Sequence, residues 1–220
     1  MRSALVTGVD RSRGIGQAIA RRLAEDGARV VTHGLGNGDL TVDVVADFAD
    51  PDAPARVVAA AAPLDVLVVN HALDESTGLE DMTAEQIDAH LHVNVRASLL
   101  LVKEFAAQFE GESGSVVLLT SGAHLGPMSG KGAYAISKGA LAIAAATLAD
   151  ELADRGIRVN AVDPGPTNTG YLDGVDPAGR MPSGRWGEPD DVARLVAWLC
   201  SDDGRWVTGQ VLNSRGGFRG

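Results

Sequence analysis

Ser3-Ala4-Leu5-Val6-Thr7-Gly8-Val9-Asp10-Arg11-Ser12-Arg13-Gly14-Ile15-Gly16 is the stretch whose reading decides the fold. Ala4 to Thr7 is a short apolar run of the kind that forms a strand buried on both faces. Gly14-Ile15-Gly16 makes a turn, after which Ile19, Ala20, Leu23 and Ala24 recur at helical spacing, predicting a helix from Ile15 to Glu25. Strand, glycine turn and helix in that order bring backbone N–H groups and a helix N-terminus up to a pyrophosphate. Gly8, Gly14, Ile15 and Gly16 are therefore candidate contacts for a dinucleotide.

Outward from this unit the strand and helix alternation repeats. Asp26-Gly27 stops the helix, and Arg29 to Thr32 and Val42 to Ala46 read as strands. Between them Leu35-Gly36-Asn37-Gly38-Asp39 is a turn that leaves almost no room for a helix. Val57 to Ala62 reads as helix and Val66 to Val69 as a buried strand ending at Asn70. A long helix is expected from Thr83 to Gln108, with Thr83 as its cap and Glu85 in the first turn. Ser115 to Leu119 is the fifth strand, and a helix carrying Tyr134 and Lys138 runs to Asp154 before Gly156 stops it. Arg158 to Val162 makes a sixth strand, Asp190 to Leu199 a helix after Pro189, and Gln210 to Asn213 a last short strand. The pattern predicts an α/β protein, a single domain over residues 1–220 built on a doubly wound parallel sheet, with a shortened helix between strands 2 and 3.

Tyr134 and Lys138 lie four residues apart and so share one helix face. A phenol has an ordinary pKa of about 10, and a neighbouring fixed positive charge stabilises its phenolate. The pair is thus a candidate general acid/base, although this spacing alone is also met in surface helices. Ser121 lies thirteen residues before Tyr134, and by itself reads as a strand-end capping serine.

These motifs together resemble the short-chain dehydrogenase/reductase family: Thr7-Gly8 with Gly14-Ile15-Gly16, Asn70-His71-Ala72 after a buried strand, Asn94 in a helix, Ser121, Tyr134 and Lys138, and Pro164-Gly165 followed by Thr169. The resemblance spans nearly the whole chain and implies a Rossmann-type fold. It also implies hydride transfer between a nicotinamide dinucleotide and a carbonyl or alcohol, as in 3-oxoacyl-carrier-protein reductases. In that reading Tyr134 gives or takes the proton. Lys138 lowers the pKa of Tyr134 and binds the nicotinamide ribose, and Ser121 holds the carbonyl oxygen. Asn94 would hold a proton-relaying water through its side chain or a kinked backbone. Asn70, Pro164, Gly165, Thr167 and Thr169 would contact the cofactor, and Asp47, followed by Phe48, resembles the family's adenine-edge aspartate.

The chain also departs from the family pattern. Asn70-His71-Ala72-Leu73 stands where the family has Asn-Asn-Ala-Gly, and five residues rather than three separate Gly8 from Gly14. A loop of similar length occurs in the divergent enoyl-reductase branch, but that branch places its Tyr and Lys seven apart, against four here. An acid at the end of the second strand would bind a ribose 2′-OH and repel a 2′-phosphate. Gly34 occupies that place, and Arg11 and Arg13 on the nearby loop suit a phosphate, so NADP(H) is expected over NAD(H). Alternatives are an NAD-dependent alcohol dehydrogenase working oxidatively and a non-catalytic dinucleotide sensor, although mere binding does not require Ser121, Tyr134 and Lys138 together. The segment from Thr167 to Met181 is short and glycine-rich, predicting a reduced substrate lid and an open site. Candidate wall residues are His124, Leu125, Met128, Tyr171, Leu172 and Trp186, a mixed set that names no compound.

The chain has 220 residues and a formal charge of −10, which disfavours nucleic acid as a partner. Its one cysteine, Cys200, allows no internal disulfide and suits a reducing compartment. The first strand follows directly on Met1, leaving no signal peptide, and no apolar run approaches the roughly 18 residues that span a bilayer; the expectation is a cytoplasmic protein without a membrane partner. His71 has no clustered carboxylate or thiol beside it in sequence, so a solvated or hydrogen-bonded histidine is expected rather than a metal ligand or a second acid, and no metal site is read. Alanine-rich faces on the two long helices suggest a homodimer or homotetramer, as in relatives.

Overall fold

The computed structural model describes residues 1–122 and 125–219. Its strands are β1 (Ser3–Thr7), β2 (Arg29–Gly34), β3 (Val44–Val45), β4 (Val66–Val69), β5 (Gly114–Leu119), β6 (Ile157–Asp163) and β7 (Val211–Asn213), and its helices α1 (Ile15–Glu25), α2 (Ala53–Ala61), α3 (Ala84–His90), α4 (Ala97–Gln108), α5 (Gly132–Leu152) and α6 (Pro189–Cys200). The strands form one parallel sheet in the order β3-β2-β1-β4-β5-β6-β7. Strand order reverses between β1 and β4, and open sheets of this kind bind ligands beyond the carboxyl ends of the strands at that point.

Side chains of successive strand residues alternate between two cores, as the period of two requires. Leu5, Leu67, Val69, Val116 and Leu118 pack with Val57, Leu101, Phe105 and Ala145 of α2, α4 and α5. Ala4, Val6, Val66, Val68, Val117 and Leu119 pack with Ile19, Leu23, Val196 and Leu199 of α1 and α6. With helices on both faces, the central strands have no polar face, which is why their sequences read as continuous apolar runs.

Local departures from the sequence reading have physical causes. α2 starts at Ala53, four residues early, because Pro54 sits in its first turn, where a missing N–H costs nothing. The third strand contracts to two residues, and the connection from β2 to β3 holds no helical turn. In its place, the long glycine loop closes against it: Asp10 accepts through its carboxylate from Leu35 N and Gly36 N at 3.0 and 2.8 Å. Leu40 N donates to the Asp10 carbonyl at 3.2 Å, and Ser12 N to the Asp39 carboxylate at 2.8 Å. The two additional residues near Gly8 thus occupy space left by the absent helix.

The long helix expected over Thr83 to Gln108 is broken. Thr83 caps α3 through a capping box with Gln86, but Leu91–Arg96 widens into a π turn before α4 resumes. The bilayer expectation also needs correction, since α5 extended to Arg155 is by length and composition apolar enough to cross a membrane. Here that helix buries Ala133, Leu141, Ala145 and Ala149 within the protein, as the central helix of a packed layer does.

Candidate active site

The cleft begins where β1 and β4 end. The Asn70 amide donates to Thr7 O and Gly8 O at 3.0 and 2.9 Å, tying the two strand ends together. Gly8 has φ +71°, and a Cβ there would lie 2.8 Å from His71 Cα. A Cβ on Gly16 would meet Gly8 O at 2.5 Å. Only glycines let the start of α1 press this close to the strand end, leaving its unpaired N–H groups facing outward. That cradle fits the pyrophosphate of a dinucleotide.

His71 lies beneath it and is 8% exposed. Its Nε2 is 3.0 Å from Val93 O, which can only accept, so Nε2 carries the proton and Nδ1 accepts from Thr7 Oγ1 at 2.9 Å. Burial first, then the positive charges of Lys138 and His33, pushes its pKa down to about 3. Of the two states that the sequence allows, solvated or hydrogen-bonded, the structure has the hydrogen-bonded one. Phe48 is different: it is 2% exposed, with ring centroids 4.2 Å from His33 and 4.4 Å from His71. Its side chain is a core ring and has no face left for a cofactor. Asp47 remains exposed, with one oxygen accepting from Ala49 N at 2.8 Å.

Asn94 sits within the π turn and is fully buried. Its amide Nδ2 donates to Leu73 O at 2.9 Å and to Ser137 Oγ at 2.8 Å, while Oδ1 accepts from Leu73 N at 2.7 Å. These bonds use both amide hydrogens and one lone pair of Oδ1, while the Asn94 backbone carbonyl accepts from Ser98 Oγ at 2.6 Å. The clamp also fixes the path of Leu73, where the expected glycine is missing.

Ser121 follows the end of β5, and its hydroxyl hydrogen-bonds with Tyr134 on α5. Burial raises the Tyr134 pKa to about 12, the Asp74 carboxylate adds to that, and the Ser121 bond opposes it. The anticipated lowering by Lys138 is not seen. Lys138 Nζ, 2% exposed, instead donates to Leu119 O at 2.8 Å, and burial pushes its own pKa down to about 8.

Arg13 also departs from expectation. It pairs with both oxygens of Asp173, at 2.6 and 2.8 Å, in the segment that follows β6. Its guanidinium thus faces the lid rather than the end of β2, and the same bond holds the Asp173 carboxyl well below its ordinary range. Arg11 stays exposed on the loop. The place beside Gly34, expected to be free of acid, is filled by Asp10, whose carboxyl atoms lie 2.3–2.4 Å from where a Gly34 Cβ would stand.

Beyond β6, Gly165 takes φ +64°, and Thr167 Oγ1 donates to Pro164 O at 2.9 Å, which fixes the Pro164–Thr169 bend. Met128 Sδ lies 3.7 Å from Ser121 Oγ. Tyr171 is 66% exposed, and it and Tyr134 both feel the Asp74 charge. Trp186 does not form an open wall: it is 6% exposed, donates from its indole N–H to Val175 O at 2.7 Å and packs on Phe218, anchoring the lid segment. His124 lies outside the described residues. Sequence reasoning missed Asp10, Asp74 with its ion-pair partner Lys131, and Asp163 with Arg215. Asp74 follows the Asn70–Leu73 segment directly, and that adjacency was its only signal.

A family model described as enoyl-(acyl carrier protein) reductase matches residues 8–219. The chain belongs to the short-chain dehydrogenase/reductase family. Among relatives of this family, it is 35% identical to the uncharacterised oxidoreductase YjdA of Bacillus subtilis, over 98% of this chain and 96% of that protein. A short-chain dehydrogenase from Burkholderia cenocepacia, solved in complex with NADP, has 38% identity and a TM-score of 0.85, covering 98% of this chain and 97% of its own. A structure from Agrobacterium tumefaciens described as a putative 2-deoxy-d-gluconate 3-dehydrogenase with bound NADP has 32% identity and a TM-score of 0.87, covering 98% and 95%. Family membership makes the chain an oxidoreductase of NAD(P)-dependent type on a Rossmann fold.

Proposed function

We propose that this oxidoreductase interconverts a carbonyl and an alcohol, with Tyr134 as general acid/base. The observation that carries the reading is the Ser121–Tyr134 hydrogen bond beside Lys138, at the mouth of the glycine cradle. Bound nicotinamide dinucleotide would supply or accept the hydride. Gly8, Gly14, Ile15, Gly16 and Asn70 would hold its phosphates and adjoining ribose, Pro164, Gly165, Thr167 and Thr169 its nicotinamide end, and Asp47 its adenine edge.

In reduction the Tyr134 phenol delivers a proton to the carbonyl oxygen, and the Ser121 hydroxyl donates a hydrogen bond that stabilises charge developing there. In oxidation the phenolate takes that proton back. A phenol at about 12 is protonated at neutral pH, which is the form that reduction starts from. Lys138, released from Leu119 O, would reach the nicotinamide ribose and bring the phenol into range, and the π turn at Asn94 would seat the relay water. The four-residue spacing of Tyr134 and Lys138 supports carbonyl rather than enoyl reduction.

The bound NADP of the two structural relatives supports NADP(H) as the cofactor, with Arg11 the loop guanidinium that would meet its 2′-phosphate. Asp10 beside Gly34 favours a second reading, an NAD-dependent alcohol dehydrogenase working oxidatively, because a carboxylate there suits a 2′-OH and repels a phosphate. We further propose a cytoplasmic protein of one domain that assembles as a homodimer or homotetramer. Assays of ketones, aldehydes and oxoacyl thioesters with NADPH and with NADH test the reaction and the cofactor together. Absence of turnover across the panel with either dinucleotide would overturn the reading.

A further inference from the structure

Asp163, the last residue of β6, is 1% exposed, yet its Oδ2 has no hydrogen-bond partner among the described residues. Its other oxygen accepts from Gly165 N at 2.9 Å. Arg215, which follows β7, places its Nε 3.5 Å from Asp163 Oδ2, and that Nε likewise makes no hydrogen bond among the described residues. Buried polar atoms left open in this way call for a ligand, a water or a functional role. The rest of the guanidinium is placed equally closely. It lies 5.1 Å from the ring centroid of Phe218, and the Arg215 backbone crosses Gly165, whose Cβ would lie 2.7 Å from Arg215 Cα.

Gly122 shows where this guanidinium points. Its φ is not in the left-handed region, but a Cβ would meet Arg215 Nη2 and Asp163 Oδ2 at 3.1 Å, so a side chain there would push these groups aside by a few tenths of an ångström. Gly122 directly follows Ser121, and neighbouring Cα atoms are about 3.8 Å apart. A guanidinium edge therefore stands one residue from the hydroxyl that would hold the reacting carbonyl. Its Nη groups make no hydrogen bond among the described residues, and the Arg215 side chain is 23% exposed. Asp163 holds one side of the fork, leaving the other for a second anion, and a guanidinium matches a carboxylate bidentately.

We propose that Arg215 is the substrate's anion subsite, so that the preferred substrates are short oxo acids or hydroxy acids whose carboxylate lies close to the reacting carbon. This inference rests on the carbonyl–alcohol reading and names its substrate class. The test compares kcat/KM for acetoacetate with that for its methyl ester, and for pyruvate with methyl pyruvate, in the wild type, Arg215→Met, Arg215→Lys and Asp163→Asn. The wild type should prefer the acids. Arg215→Met should lower the acid-to-ester ratio by roughly ten- to a hundredfold through KM, and Arg215→Lys should recover part of it. Asp163→Asn, which removes the competing anion, should raise the ratio, and this opposite sign keeps the test valid if Arg215→Met fails to fold. An unchanged ratio overturns the subsite. So does equal loss of dinucleotide affinity in Arg215→Met, which would assign the arginine to the cofactor's phosphates. If no carbonyl compound is reduced at all, the proposed reaction falls, and calorimetric titration with 3-hydroxybutyrate still decides Arg215: binding lost in Arg215→Met supports the subsite, and binding absent from the wild type refutes it.

Discussion

Replacing Asp10 by Asn should shift dinucleotide preference toward NADPH, whichever cofactor the wild type prefers. The Asp10 carboxylate occupies the volume a side chain at Gly34 would fill, and Leu35 N and Gly36 N hold it there. Two unit charges about 5 Å apart repel by roughly 1 kcal/mol in water and roughly 3 kcal/mol at an effective dielectric of about 20. Asp10 is half-buried, between those limits, and a phosphate monoester carries more than one negative charge at neutral pH. Removing the carboxylate charge should therefore favour NADPH over NADH by at least about 1.4 kcal/mol, or about tenfold in the ratio of dissociation constants. Asn leaves one of the two backbone N–H groups without its acceptor, and the resulting loosening weakens both dinucleotides together and cancels in the ratio. Fluorescence titration of both cofactors against both proteins measures it, and repetition at high salt should shrink the effect. A ratio that does not move would show that this carboxylate is remote from the 2′ position, and the electrostatic argument would fail.

Tyr134→Phe should lower kcat by about 10² to 10⁴ while leaving cofactor affinity nearly intact, because only the transferable proton is lost; a variant that kept most of its turnover would remove Tyr134 from the chemistry. With the phenol pushed up to about 12, alcohol oxidation requires its rarer ionised form. The kcat/KM for oxidation should therefore climb with pH across the neutral and mildly alkaline range while that for reduction stays level, and parallel profiles would contradict the assignment. His71, held down to about 3 against an ordinary 6.5, binds fewer protons folded than unfolded. Stability should thus fall as pH drops below 6.5, by up to about 1.4 kcal/mol per pH unit. Denaturant titrations of His71→Asn should show a shallower acid loss, and an equal slope would mean that another group dominates. Ile136 and Ile143, 68% and 77% exposed on α5, should be covered in a homo-oligomer, so Ile143→Glu should shift light-scattering mass toward monomer; a wild-type monomer at micromolar concentration would refute the assembly.

The sequence by itself determined the parallel α/β architecture, because a strand covered by helices on both faces reads as a continuous apolar run and each helix carries its own period and stop signals. The central strands were legible in this way, the part-exposed β2, β3 and β7 were read from their short apolar runs between turn signals, and the glycine turn at Gly14-Ile15-Gly16 was legible too. Ser121, Tyr134 and Lys138 could be singled out as well, because they stand at family-like intervals beside the glycine turn and the other ordered motifs, whereas the Tyr134–Lys138 spacing alone also occurs in surface helices. Tertiary structure alone decided what fills the space between elements. Asp10 stands in for a side chain at Gly34 because a longer glycine loop meets a connection that lost its helix, and pairing of loops leaves no periodic trace. Phe48 became a core ring and Arg13 turned to Asp173 because the competing partners, His33, His71 and the lid carboxylate, come from distant parts of the chain. The π turn at Asn94 belongs here too: it comes with a clamp on Leu73, and a run of helix-forming residues carries no sign of bonds made to a loop more than twenty residues earlier. Likewise the open Asp163–Arg215 pair joins the ends of β6 and β7, where charges fifty-two residues apart in sequence are brought together only by the closing of the sheet.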